Sequence, residues 1–201
     1  AFFIWNILGA ANKGLGRIKE ALYAFKKVIL INPTYADGHN NLGITLQDFG
    51  MHKEALESFK TALSLKPDYA EAHNNMGLAT QALGNFDVAI RSLTQALYLK
   101  PNYAEAHNNM GLALQAKGNF SEAVKSHFNA LSLRPDYIEA HNNLGNAQRG
   151  QHKLEEAIHA YNEALSLKPN FAEAHNNKGI ALQTLVRLEE AEASYKQAIA
   201  L

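Results

Sequence analysis

Proline occurs five times in this 201-residue chain, at 33, 67, 101, 135 and 169, and every gap is 34 residues. Proline lacks an amide donor and fixes its own φ, so it continues neither a helix nor a central strand. Breaks at one fixed interval cut the chain into equal pieces. Glycine keeps the same beat at 9, 43, 77, 111, 145 and 179, and alanine at 21, 55, 89, 123, 157 and 191. A period of this length marks a repeat architecture, in which one supersecondary unit stacks on the next to bury a continuous core. With each proline at position 32, the units are 2–35, 36–69, 70–103, 104–137, 138–171 and an incomplete 172–201. The expected organisation is a single domain, 1–201, built as one array.

Each unit predicts two helices. In 70–103 the first runs from about Glu71 to Leu83 and is broken by Gly84-Asn85. The second runs from about Asp87 to Leu99 and stops before Pro101, which drives Lys100 out of the α region. Its apolar residues Ala89, Ile90, Leu93, Ala96 and Leu97 recur at steps of three and four, as an amphipathic helix requires. Asp68 to Glu71 reads as a capping box, and Asn102 to Glu105, Asp136 to Glu139 and Asn170 to Glu173 repeat it, with a weaker version from Thr34 to Asp37. The small Gly77 and Ala89 suit a close crossing of the two helices. Where other units carry a turn glycine at 16, 50, 84 and 118, two carry His152 and Val186. A left-handed conformation is costly for Val186, so these two turns are expected to be remodelled. His127 stands where an aromatic or leucine is expected, and Lys178 where other units have leucine or methionine.

A 34-residue pattern with glycine at the eighth place, alanine at the twentieth and proline at the thirty-second resembles the tetratricopeptide (TPR) repeat, over essentially the whole chain. The resemblance implies an all-α fold: a right-handed superhelical solenoid of stacked antiparallel helix pairs. It further implies that the first helices line a groove that binds partner peptides.

Five units spell His-Asn-Asn ahead of the repeating glycine, at 39–41, 73–75, 107–109, 141–143 and 175–177. Positions 2, 5, 6, 9, 12 and 13 of the first helix share one face; in unit 70–103 they are Glu71, Asn74, Asn75, Leu78, Gln81 and Ala82. The opposite face is small or apolar, so this one is expected to look outward. A carboxamide both donates and accepts, and so can bond a peptide backbone without reading its side chains. The candidate ligand contacts are an inner rung, Asn41, Asn75, Asn109, Asn143 and Asn177, and an outer rung, Asn40, Asn74, Asn108 and Asn142. Gln81 and Gln115 extend the lining two turns further on. The ladder is similar to that of the TPR region of O-linked N-acetylglucosamine transferase, where matching asparagines hold the backbone of protein substrates. On that resemblance the role falls to the inner rung. The histidines read as packing imidazoles beside the core, not as metal ligands. Packed helices lie roughly 8–10 Å apart, whereas the ligands of one zinc ion all sit about 2 Å from it.

Nineteen basic residues balance nineteen acidic ones, so nothing in the charge points to nucleic acid or an anionic membrane. Cysteine is absent, which excludes disulfides and thiolate chemistry and leaves the redox compartment open. The apolar start AFFIWNILGAA falls in register with the repeats and reads as helix. No glycine-rich phosphate loop or nucleophile elbow is present, and every notable polar residue recurs with the period, whereas catalysis needs one asymmetric cluster. No cofactor or metal is expected. The expected function is a non-enzymatic scaffold that holds an extended protein segment along the asparagine-lined groove. Acids at 37, 48, 71, 105, 139 and 173 against Lys13 and Arg149 favour neutral to basic segments. Two alternatives stand beside it. The chain can be the recognition arm of a larger enzyme, of glycosyltransferase or sulfotransferase type. It can also self-associate as a homo-oligomer through the apolar residues Phe2, Phe3, Trp5, Ile199 and Leu201.

Overall fold

The computed structural model describes residues 2–201, and within them twelve α-helices and no strand. They run α1 (Phe2–Gly14), α2 (Ile18–Ile31), α3 (Ala36–Asp48), α4 (His52–Leu65), α5 (Ala70–Ala82) and α6 (Phe86–Leu99). A second set follows as α7 (Ala104–Ala116), α8 (Phe120–Leu133), α9 (Ile138–Gly150), α10 (Leu154–Leu167), α11 (Ala172–Thr184) and α12 (Leu188–Ala200). The chain divides into two compact units, one ending at Pro101 and holding α1–α6, the other starting at Asn102 and holding α7–α12. In each unit an odd-numbered helix pairs with the even-numbered helix after it. The even-numbered helix also packs on the next odd one, so α4 lies against α3 and α5, and α10 against α9 and α11. The odd-numbered helices also approach each other directly, α3 beside α5 in the first unit and α9 beside α7 and α11 in the second. They form the inner layer of each unit.

Two kinds of glycine make this geometry. At Gly43 a Cβ would sit 2.5 Å from the Phe59 ring, and at Gly77 it would sit 2.7 Å from Leu93. The missing side chain lets α3 and α4, or α5 and α6, cross close enough for one large residue to be buried whole. Phe59 and Leu93 are fully buried, as are Ala55 and Ala89 beside them. Truncating such a ring to alanine typically costs about 3–5 kcal/mol, because a cavity remains. The second kind closes the turn within each pair. Gly50 and Gly84 take φ of 81° and 76°, and the amide after each reaches back to the last turn, Met51 to the Leu46 carbonyl at 2.9 Å and Asn85 to Thr80 at 2.8 Å. This is the Schellman closure of a helix C-terminus.

The turns at His152 and Val186 are not remodelled. Both residues adopt φ of 61° and keep the same closing bonds, Lys153 to the Gln148 carbonyl and Arg187 to Leu182, each 3.0 Å. The paired helices on either side fix the direction in which the chain must re-enter, and the backbone strain is accepted locally. Val186 points into solvent, 73% exposed, and so meets no neighbour there.

The expected capping boxes also do not form. Each inner helix from α3 to α11 is preceded at its N-cap by an aromatic, Tyr35, Tyr69, Tyr103, Tyr137 or Phe171, and no side-chain hydrogen bond caps it. The turn after each proline uses one residue more than the box allows, so Asp68 lies outside the cap and Glu71 falls at the second helical position. Glu71 instead pairs with Lys100 at 3.0 Å, which holds its carboxyl below the usual range. Three of these aromatics are covered by a basic residue from the preceding turn: Lys66 lies 4.6 Å from the Tyr69 ring centre and Arg134 4.6 Å from that of Tyr137. Lys168 takes the same position over Phe171 at 5.2 Å.

Candidate functional site

The three letters of His-Asn-Asn do three separate jobs. A proline carbonyl only accepts, so the histidine Nε2 that meets it carries the proton and donates. His39 bonds Pro33 and His141 bonds Pro135 at 2.8 Å, and His73 bonds Pro67 at 2.9 Å. His175 repeats this with Pro169 at 2.8 Å. The ring thus ties the start of α3, α5, α9 and α11 to the turn before it. Among the described residues no three histidine, aspartate or glutamate side chains gather closely enough to hold a cation.

The first asparagine is buried. Asn40, Asn74, Asn108 and Asn142 are only 1–4% exposed. The second asparagine of one repeat donates to the first asparagine of the repeat before it. Asn75 Nδ2 reaches Asn40 Oδ1 at 3.0 Å, Asn143 reaches Asn108 at 3.1 Å, and Asn177 reaches Asn142 at 3.0 Å. Asn41 does the same to Asn6 at 3.1 Å, so the first unit supplies an acceptor although Ile7 breaks the rung. The helical face that the sequence places outward is therefore split. Its fifth position turns inward as an acceptor for the following repeat, and its sixth lies at the edge of the solvent. Asn41, Asn75 and Asn143 are half-buried, whereas Asn109 and Asn177 are 8% exposed. An amide has two N–H donors and two acceptor sites, and one inter-repeat bond uses one of these.

The candidate glutamines differ from each other. Gln115 is held on two sides, its Nε2 donating to the His127 ring at 2.7 Å and to the Asn143 carbonyl at 2.9 Å. Gln81 is half-buried, and its Oε1 is shielded from water without a partner. The Gln115 contact belongs to a network that the sequence does not announce. His127 is fully buried over Gly111, and its Nδ1 donates to Asn108 Oδ1 at 3.0 Å. With Nδ1 donating and Nε2 accepting, the ring is satisfied only when neutral, and burial pushes its pKa down to about 4.

Several acids of the inner face are matched by bases. Lys13 lies 3.1 Å from Asp48, Lys100 pairs with Glu71, and Arg134 pairs with Glu105. Glu173 accepts from Asn142 Nδ2 at 2.9 Å. Asp37 accepts from the Tyr69 hydroxyl, whose ionisation is pushed up by burial first and by that carboxylate second. Lys178, the basic residue at an apolar position, is half-buried and lies close enough to Glu190 to favour its charged form.

Sequence profiles described as tetratricopeptide repeat match residues 104–137, 138–171 and 172–201, and a TPR repeat profile matches 13–50, 48–84 and 81–118. The chain belongs to the tetratricopeptide repeat family. Its TPR units match many solved structures. A MamA crystal structure superposes with a TM-score of 0.71 at 28% identity, covering 86% of this chain and 94% of that one. TTC0263, a thermophilic TPR protein of Thermus thermophilus, gives 0.76 at 27%, covering 91% and 100%. YrrB, described as a TPR protein with an unusual peptide-binding site, gives 0.69 at 22%, covering 88% and 91%, a likeness of fold alone. No curated protein matches at the sequence level. The TPR fold is that of a protein–protein interaction scaffold.

Proposed function

We propose that each unit of this TPR chain binds an extended segment of a partner protein along its inner helices, with Asn41 and Asn75 in one unit and Asn143 in the other as the contacts at the solvent edge. The observation that carries the reading is the inter-repeat bond. Asn75 and Asn143 are each held through one N–H by a buried asparagine of the repeat before. Their orientation is thus set before any ligand arrives, and binding loses less rotamer freedom. What remains of each amide can pair with a peptide N–H or C=O. Asn40, Asn74, Asn108 and Asn142 act in this scheme as supports, and Gln115 supports Asn143 through its backbone carbonyl. Because much of the acidic charge is paired, the preference for neutral to basic segments is a secondary feature. YrrB, whose description names a peptide-binding site, supports peptides as the class of partner.

The test uses peptides selected from a random display library on the wild-type chain. Replacing Asn41, Asn75 and Asn143 together by alanine is expected to remove most of the affinity for these peptides while the helical signal in circular dichroism is kept. Unchanged affinity in a folded triple variant overturns the proposal.

A further inference from the structure

A pocket lies within the carboxy-terminal unit, among α8, α9 and α10, and the asparagine face plays no part in it. It has a volume of about 640 Å³, in the usual range for ligand sites. Its α9 residues are His141, Leu144 and Gln148, while the rung residue Asn143 is absent from its wall. Phe128, Leu131, Leu144 and Ala160 make an apolar floor, and the Phe128 ring is half in solvent.

Apart from the Gln148 amide nitrogen and the His159 ring, the polar side-chain atoms around this floor act as acceptors. Gln148 is only 8% exposed, yet its Oε1 has no hydrogen-bond partner. His141 spends its proton on the Pro135 carbonyl, which leaves Nδ1 as a lone pair. Ser132 spends its hydroxyl proton on the Phe128 carbonyl at 2.9 Å. Glu156 and Glu163 add carboxylates at the rim, with Glu163 3.8 Å from His159. Glu155 also lines the pocket but is already held by Arg187 at 3.1 Å. A buried acceptor with no donor is destabilising, so this site gains most from a ligand that brings N–H groups and positive charge.

The equivalent place in the amino-terminal unit shows that the fold does not impose this chemistry. There Lys60 replaces Phe128, Val88 replaces Glu156, Arg91 replaces His159 and Gln95 replaces Glu163. At the place of Gln148 stands Thr80, whose hydroxyl is satisfied by the Met76 carbonyl at 2.8 Å.

We propose that the α8–α10 pocket binds a segment of a partner protein in which an arginine or lysine adjoins a bulky apolar residue. The apolar side chain packs on Phe128, Leu131 and Leu144. The cationic group donates to Glu156 and Glu163, and one N–H reaches Gln148 Oε1, whose terminal amide torsion is soft enough to turn toward it.

The experiment records backbone amide shifts of the isotope-labelled chain titrated with a capped Leu-Arg-Phe-Lys peptide and, separately, with Leu-Glu-Phe-Glu. Saturable shifts confined to α8, α9 and α10 are expected with the cationic peptide alone. Glu156→Gln combined with Glu163→Gln, and independently Gln148→Met, are each expected to weaken binding roughly fivefold or more without loss of helix. Equal binding of both peptides overturns the proposal, as does the absence of saturable shifts up to about 5 mM peptide. Shifts centred on Asn41, Asn75 and Asn143 would move the peptide to the other face. Broadening at Phe128 and Gln148 that grows with protein concentration alone would assign the pocket to a second copy, and either result overturns it.

Discussion

His127 occupies the place that Phe59, Leu93 and Tyr161 fill in other repeats, each packed against the glycine of its paired helix. An imidazole there must be satisfied on both nitrogens without carrying charge, and Asn108 and Gln115 do this by accepting from one and donating to the other. The folded-state pKa of about 4 lies below the ordinary 6.5, so between these values the unfolded chain binds a proton that the native ring refuses. The stability tied to this residue is complete above about pH 6.5 and is lost as the pH falls towards 4, by up to roughly 3 kcal/mol. His127→Phe is expected to flatten this part of the curve. Urea midpoints of both proteins across that pH range read the difference; parallel curves would show that the ring is not the titrating group. The same residue marks what the sequence conceals. His127 stands out as a departure from an apolar position, but its partners lie 19 residues before it and 12 before it, and one of them is an asparagine assigned to an outward face.

The helices themselves are legible in the sequence almost to the residue, because proline and glycine punctuate each pair and both act locally through the backbone. What the sequence hides depends on neighbours in other repeats. A polar residue within a helix reads as solvent-facing, yet Asn40 and Asn142 are buried because a carboxamide 35 residues later donates to each. The capping box fails for a related reason: the proline turn shifts the cap onto the aromatic, and at Tyr69, Tyr137 and Phe171 a base covers that ring. The turn at Val186 departs from expectation in the opposite direction, since helix pairing outweighs a local preference of about 1–2 kcal/mol for avoiding left-handed backbone. That strain remains in the native state. Val186→Gly relieves it, and because the side chain is exposed no packing is lost. Part of the gain is offset by the greater unfolded-state freedom of glycine. A net stabilisation of up to about 1 kcal/mol is expected, read as a higher urea midpoint, and the same change at His152 acts in the same direction. A lower midpoint at both sites would mean that these turns are not strained.

At the scale of the whole chain, repetition changes how a binding surface can be dissected. An enzyme site concentrates its energy in a few groups, but a rung written once per repeat spreads it. Each amide contact contributes about 1 kcal/mol, and contacts on different repeats share no partner, so their effects should add. For a peptide spanning the two rungs of the amino-terminal unit, changing Asn41 or Asn75 to alanine is expected to weaken binding about fivefold, and changing both about thirtyfold. The inter-repeat bonds supply a sharper variant. Asn40→Ala leaves Asn75 in place but removes the acceptor that orients it, and Asn40 itself is buried from the ligand. If preorganisation matters, this change weakens peptide binding about as much as removing Asn75, in a protein that is still helical. If instead Asn40→Ala lowers the urea midpoint and leaves affinity untouched, the asparagine ladder is a device for joining repeats, and peptide recognition must be sought elsewhere on the inner helices.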